Sequence, residues 1–221
     1  MKFLHIVLFT ALFALPNVYA DDTSKKPQLS SIEFKNEYFY SKEGVFLKEK
    51  AKDAIIALMN YHGYPVYDGI RDDIWVMDYG VGHFAEVGLA GIMYENNKTN
   101  MYMLLDLFLL PNQMLGEHRH VDGVDTAAKR EGWLLRWGKS YVAGIGEDNM
   151  ADFPEVKIPK SHWDGKVSSK HIIEALPGSF NSLKEVLSNH WQFAGKEGAI
   201  MTEVANFADS DAVKRTDPKM K

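Results

Sequence analysis

Cysteine is absent from all 221 residues. That excludes disulfides and a lipid-bearing cysteine behind a leader. Internal repeats and low-complexity runs are also absent. After residue 20 no stretch is both long enough and free enough of charge to cross a bilayer. Positive charge is in short supply: 25 lysines and arginines face 30 acids, for a net −5. An acidic surface of this kind argues against nucleic acid or anionic lipid as a partner.

What is present begins with a leader. Lys2 gives a basic start, Phe3 to Leu15 is apolar apart from His5 and Thr10, and Val18-Tyr19-Ala20 ends in a small residue before Asp21-Asp22. This pattern predicts a secretory signal peptide over 1–20, cleaved after Ala20, and hence a periplasmic or secreted protein. Its apolar core is too short to span, so no membrane insertion is expected after cleavage. No arginine pair precedes it, which points to general export. The segment holds one lysine and no acid, so the mature chain of 201 residues carries −6. That length suits one domain with ample core. The expected division is a loose segment over 21–40 and a single domain over 41–221.

The periodicity predicts one helix over Ser41 to Asn60, capped by Ser41, with Phe46, Ala51, Ile55 and Leu58 or Met59 on its apolar face and Gly63 just past its end. Short strands follow. Val87 to Tyr94 and Met101 to Leu110 flank the turn-rich Glu95 to Asn100. Trp133 to Trp137 and Ser140 to Ile145 read as a hairpin around Gly138. Met150 to Gly165 reads as loop, His171 to Leu176 as a strand, Ala199 to Val204 as a last strong strand, and the tail from Asp209 as polar. Many short strands after one helix predict a mainly β closed barrel or double-sheet roll.

Gly116-Glu117-His118-Arg119-His120 follows the second apolar strand. Residues two apart on a strand point the same way, so His118 and His120 present two imidazoles to one side and Arg119 the other. With the carboxylate of Glu131 they suit a divalent transition metal. His190, in Asn189-His190-Trp191, is a fourth candidate ligand.

These residues carry a resemblance. Asp78-Tyr79-Gly80-Val81-Gly82-His83-Phe84, Leu109 to Gln113 with Glu117 to His120, Lys129-Arg130-Glu131 with Arg136-Trp137-Gly138, and His190-Trp191 with Ala194 to Ala199, Glu203 and Thr216-Asp217-Pro218 together resemble the D-lyxose ketol-isomerase family of the cupin superfamily. The resemblance covers about Lys48 to Met220. It implies a cupin double-stranded β-helix, a jelly-roll barrel with an N-terminal helix, in a family whose barrels are often dimeric, so that a homodimer is implied. It implies one divalent metal, Mn2+ as the expected ion, held by His118, His120, Glu131 and His190. The implied reaction interconverts D-lyxose with D-xylulose, and often D-mannose with D-fructose. Lys129 and Glu203 match polar residues facing the sugar. Ser179 to Asn189 departs from the family's proline-rich approach to the last histidine.

Ketol isomerisation moves a weakly acidic proton between C2 and C1. A Lewis acid on the sugar oxygens and a carboxylate with a raised pKa serve that chemistry. Glu203 is the expected base, set against the plainer role of a rim glutamate paired with a lysine. Lys129 is the expected partner of a sugar oxygen, set against a solvated loop lysine. Trp137 and Trp191 are candidates for a sugar floor, with core packing favoured for Trp137. The remaining histidines, His62, His83, His162 and His171, lack a partner at ligand spacing and read as surface or supporting residues. Export would place metal acquisition outside the cytoplasm, where Zn2+ outcompetes Mn2+ at nitrogen and oxygen sites. A non-catalytic secreted sugar-binding cupin is the alternative from another class, because a fold does not fix a function. A metal-dependent oxygenase is a third reading, weakened by the Glu131 ligand and the sugar-facing polar residues.

Overall fold

A computed structural model describes residues 27–221; the expected leader and its cleavage point lie outside them. The helix α1 runs over Lys48–His62 and buries Ala51, Ala54, Ile55, Leu58 and Met59. Those positions fall three and four apart, so one stripe faces inward. Full burial of Ile55 or Leu58 contributes about 1.5–3 kcal/mol each. Gly63 ends the helix at φ 71°, its N–H reaching the carbonyls of Asn60 and Met59. Glycine fits there because it has no Cβ to clash in the left-handed region.

The helix starts seven residues later than the periodicity predicts. Ser41 is no cap: its hydroxyl accepts the N–H groups of Glu43 and Val45 inside a turn. Gly44 sits at φ 80°, and Tyr40 bridges to Phe46. The segment expected to be loose is packed from its first short turn onward. Ile32 and Phe39 are fully buried, and Phe39 meets Phe84 edge-on at 5.0 Å.

Among the described residues, a four-residue helix, α2 (Ile70–Asp73), leads into nine antiparallel strands. They are β1 (Ile74–Met77), β2 (Leu89–Asn97), β3 (Tyr102–Leu109), β4 (Met114–His120), β5 (Glu131–Gly144), β6 (His171–Ala175), β7 (Phe180–Ser182), β8 (His190–Ala205) and β9 (Val213–Arg215). Their order is β1-β2-β3-β8-β4-β9, with β5 pairing β6, β7 and β8. The strand β8 closes the roll. Its first part pairs β4, its second pairs β3, and both parts pair β5.

The hairpin expected around Gly138 is one continuous strand. Two bulges, between Leu135 and Trp137 and between Gly138 and Ser140, let β5 stay on β8 while turning. The first gives β5 one extra residue, the second leaves the extra residues on β8 between Ala194 and Ala199, and each changes which side chains face in. Leu135 therefore lies in the barrel interior, whereas Trp137 faces out against the helix layer. The polar tail also hides a strand, β9, which extends the sheet beyond β4. The interior is lined by Met103, Leu105, Leu107, Leu115, Trp133 and Met201. A second core under α1 joins Ile55 and Leu58 to Ile74, Ile92, Phe108 and Ile200.

Candidate metal centre

The strand β4 presents the first two ligands. Leu115 pairs with Gln192 and His118 with His190, so β4 carries one extra residue between them. That bulge brings Leu115 and His118, three apart, to the same interior face, and His120 follows two residues on. Glu117 faces the other way. Its buried carboxylate accepts the N–H groups of Ser168 and Ser169 at 2.7–3.0 Å and the Ser168 hydroxyl at 3.0 Å. The backbone between the two imidazoles and the bulge is thereby tied to the 160s loop. His162, fully buried rather than at the surface, accepts the Glu117 N–H at 3.1 Å.

Glu131 opens β5 and His190 opens β8, and the four side chains converge. One donor atom from each of His118, His120, Glu131 and His190 lies within 4.8 Å of the others. Nδ1 of His118 meets the Gly116 carbonyl and Nδ1 of His190 the Ser188 carbonyl, both at 3.0 Å. A carbonyl accepts, so those nitrogens carry the hydrogens and each Nε2 keeps a lone pair. Burial, reinforced by the neighbouring imidazoles, pushes His118 well below the ordinary histidine range, and burial also lowers His120.

The fit to a cation rests on what these atoms lack. Nε2 of His190 and of His120 stand 2.9 and 3.1 Å from Glu131 Oε1. None of the three atoms has a completed hydrogen bond among the described residues. The His190 Nε2 lone pair turned on a carboxylate oxygen in a dry interior repels it unless a positive charge lies between them. Three imidazoles and one carboxylate are a donor set for a divalent transition metal, and this group could hold one such ion.

Beside the cluster is a buried ion triad. Lys129 Nζ reaches Glu131 Oε2 at 2.6 Å and Glu203 Oε1 at 2.7 Å. The expected solvated lysine is therefore buried, and Glu203 is no rim residue. Burial opposes the Lys129 charge, but Glu203 and Glu131 outweigh it and raise its pKa. For Glu131 burial acts upward, and the Lys129 charge overcomes it, leaving the carboxyl well below its usual range. Burial dominates at Glu203, which is pushed up to about 7 against the opposing pull of Lys129. Trp133 Nε1 donates to the other Glu203 oxygen at 3.1 Å.

Cluster and triad share one cavity of about 190 Å³, walled by Trp75, Met77, Leu89 and Leu115. All six residues singled out from sequence, the four candidate ligands with Lys129 and Glu203, line it. The two tryptophans considered for a sugar floor are elsewhere. Trp137 packs on Tyr64 at 5.5 Å beneath α1. Trp191 is buried in a cluster with Tyr141 and Phe193. Trp133, Gln192 and Arg215 line the cavity unannounced by any spacing. Trp133 and Gln192 share parity with a candidate ligand, Trp133 two from Glu131 and Gln192 two from His190, and Arg215 has no such signal. Of the other histidines, His83 is half-exposed and 3.8 Å from Glu86. His62 meets the Glu197 carbonyl at 2.8 Å and His171 that of Glu147 at 2.9 Å.

Known proteins share this arrangement of sequence and fold. The D-lyxose/D-mannose isomerase of Thermosediminibacter oceani is 33% identical over 151 residues, covering 68% of this chain and 80% of the relative. The D-lyxose ketol-isomerase of Thermofilum sp. is 29% identical over 177 residues, covering 79% and 94%. The solved L-ribose isomerase of Cellulomonas parahominis aligns with a TM-score of 0.56 at 12% identity, over 77% of this chain and 85% of that one. That of Geodermatophilus obscurus gives 0.51 at 11%, over 77% and 86%. At such identities the solved structures establish the fold alone, a cupin-type barrel. No protein-family profile matches the chain.

Proposed function

The chain belongs to the D-lyxose ketol-isomerase family, and from that membership we propose a metal-dependent aldose–ketose isomerase acting on D-lyxose and D-xylulose, and on D-mannose and D-fructose. The observation that carries the reading is the placement of Glu203. A carboxylate with a pKa near 7 stands in the same cavity as a four-residue ligand cluster and is joined to it through Lys129.

The ion proposed is Mn2+, with Zn2+ as its competitor, and His118, His120, Glu131 and His190 would hold it. When bound it supplies Lewis-acid charge beside the sugar's C1 and C2 oxygens. The protein's own groups do the rest. Glu203 takes the proton from one carbon and returns it to the other. Burial suits it to that task, because a base titrating near neutrality exists in both forms at working pH. Lys129 and Trp133 each hold one Glu203 oxygen, which fixes the plane of the carboxylate. Lys129 also places a positive charge where negative charge develops on the sugar.

Glu203→Gln keeps size and one accepting oxygen but cannot take the proton. Turnover should fall by roughly two to four orders of magnitude, with metal content kept. The measurement is exchange of the C2 proton of D-lyxose or D-mannose with deuterated water. Exchange at the parent rate in Glu203→Gln would move the base elsewhere. Absence of exchange and of ketose in the metal-loaded parent would end the isomerase reading.

A further inference from the structure

Two donors on the wall of this cavity have no acceptor among the described residues. Gln192 is 1% exposed. Its Oε1 accepts the Ser140 hydroxyl at 3.2 Å, but its Nε2 is unpaired. It lies two residues beyond His190 on the same face of β8, level with Leu115 on β4 and Val142 on β5. In that apolar ring a leucine would pack without desolvating an amide, so an unmet N–H is a standing cost unless a ligand oxygen meets it.

Arg215 approaches from the other side. It pairs with His118 across β9 and β4. Its guanidinium lies 5.2 Å from the centre of the Tyr79 ring, and one terminal nitrogen meets Met77 Sδ at 3.4 Å. A thioether is a weak acceptor, and the buried Nε of Arg215 has none. The strand order β8-β4-β9 sets His190, His118 and Arg215 side by side, with Gln192 one step along the barrel. The two donors thus flank the imidazole pair on different sides.

We propose that Gln192 Nε2 and Arg215 Nε orient the substrate, each donating a hydrogen bond to a different oxygen of an open-chain polyhydroxylated ligand. The ligand is held at two points besides the metal cluster, and neither donor takes part in the proton transfer. This assignment rests on the isomerase reading for the identity of the sugar.

The test separates binding from turnover. Metal-loaded parent, Gln192→Leu and Arg215→Met are titrated with xylitol, a five-carbon polyol with no carbonyl, by calorimetry. KM and kcat for D-lyxose, metal content and sugar-free melting temperature are measured beside it. Each variant should lose about tenfold in xylitol affinity and gain about tenfold in KM, the worth of one hydrogen bond, with kcat little changed. Metal content should stay at the parent level. Gln192→Leu also removes the acceptor of the Ser140 hydroxyl, so its melting temperature is read in a Ser140→Ala background, where it should melt no lower than Ser140→Ala alone because it removes an unpaired buried amide. A structural glutamine predicts the reverse: a lower melting temperature and unchanged affinity. Gln192→Met is the second variant, and failure of both to fold would overturn the Gln192 assignment. Equal xylitol affinity in parent and variants, with turnover present, would overturn the proposal alone. Reduced affinity in the variants of a parent that turns over no sugar would support the donors and sink the isomerase reading. A parent that binds neither xylitol nor sugar would overturn both.

Discussion

His118 and His190 come to the cluster with Nδ1 already committed to a backbone carbonyl. That hydrogen bond fixes tautomer and ring plane before any ion arrives, which lowers the reorganisation cost of binding. Protein purified with Mn2+ should therefore hold about one ion per chain by elemental analysis. Ion at a hundredfold excess over its Kd should add about 2.7 kcal/mol to the unfolding free energy. His120→Ala removes one of the atoms that lacks a partner, so occupancy should drop and the ion-dependent gain with it. Undiminished occupancy in a His118→Ala, His120→Ala double variant would refute the ligand set. The cluster was legible because His-x-His on a strand has a built-in parity. Gln192 and Arg215 were not. Glutamine carries no spacing signature, and Arg215 lies in a tail whose polarity concealed a strand.

At the level of elements, bulges decide what the barrel contains. Gly138 sits at φ 76°, and a Cβ there would stand 2.1 Å from the Gly198 carbonyl oxygen on β8. Gly198 is itself at φ 74°, so two glycines face each other where both strands change face. Gly138→Ala adds left-handed strain and a backbone clash. The expected loss is about 2–5 kcal/mol in urea unfolding; a loss within experimental error would remove the bulge from the account. This explains why the hairpin expected around Gly138 was wrong. The glycine marks a close backbone approach inside a strand, and periodicity cannot tell the two uses apart. The helix shows the same limit. Its apolar face was readable, but its start was displaced by the Ser41 to Gly44 turn, whose hydrogen bonds depend on chain geometry and not on spacing. Strand existence was largely legible, whereas the pairing of β8 with three partners follows from closure of the whole sheet.

For the molecule as a whole, burying an uncharged histidine couples stability to pH. His162 donates from Nδ1 to the Lys166 carbonyl at 2.9 Å and accepts at Nε2 from Glu117. Burial lowers its pKa below 6.5, although the Lys166 carbonyl, Glu117 and Asp217 pull upward. The unfolded chain then binds the extra proton more readily, so this contribution is present above pH 6.5 and is lost as pH falls toward the folded pKa. Urea unfolding at about pH 5 and about pH 7.5 should show lower stability at the acid end, with His162 supplying up to about 1.4 kcal/mol per pH unit. His162→Gln keeps an acceptor for the Glu117 N–H without the titration, and should flatten that slope. An unchanged slope would assign the acid sensitivity to other groups.

The shared strand β8 carries both His190 and Glu203, and this has a bearing on how the protein fails. Sheet parity has period two, so a slip of one residue along β8 would turn His190 outward and Trp191 inward, and would expel Glu203 in the same movement. The proposed metal ligand and the proposed base would be lost together. On the proposed roles, a mis-registered copy would lose both functions instead of retaining an ion in a cavity without its proton acceptor. Correct threading of one strand thus acts as a proofreading condition on the whole centre.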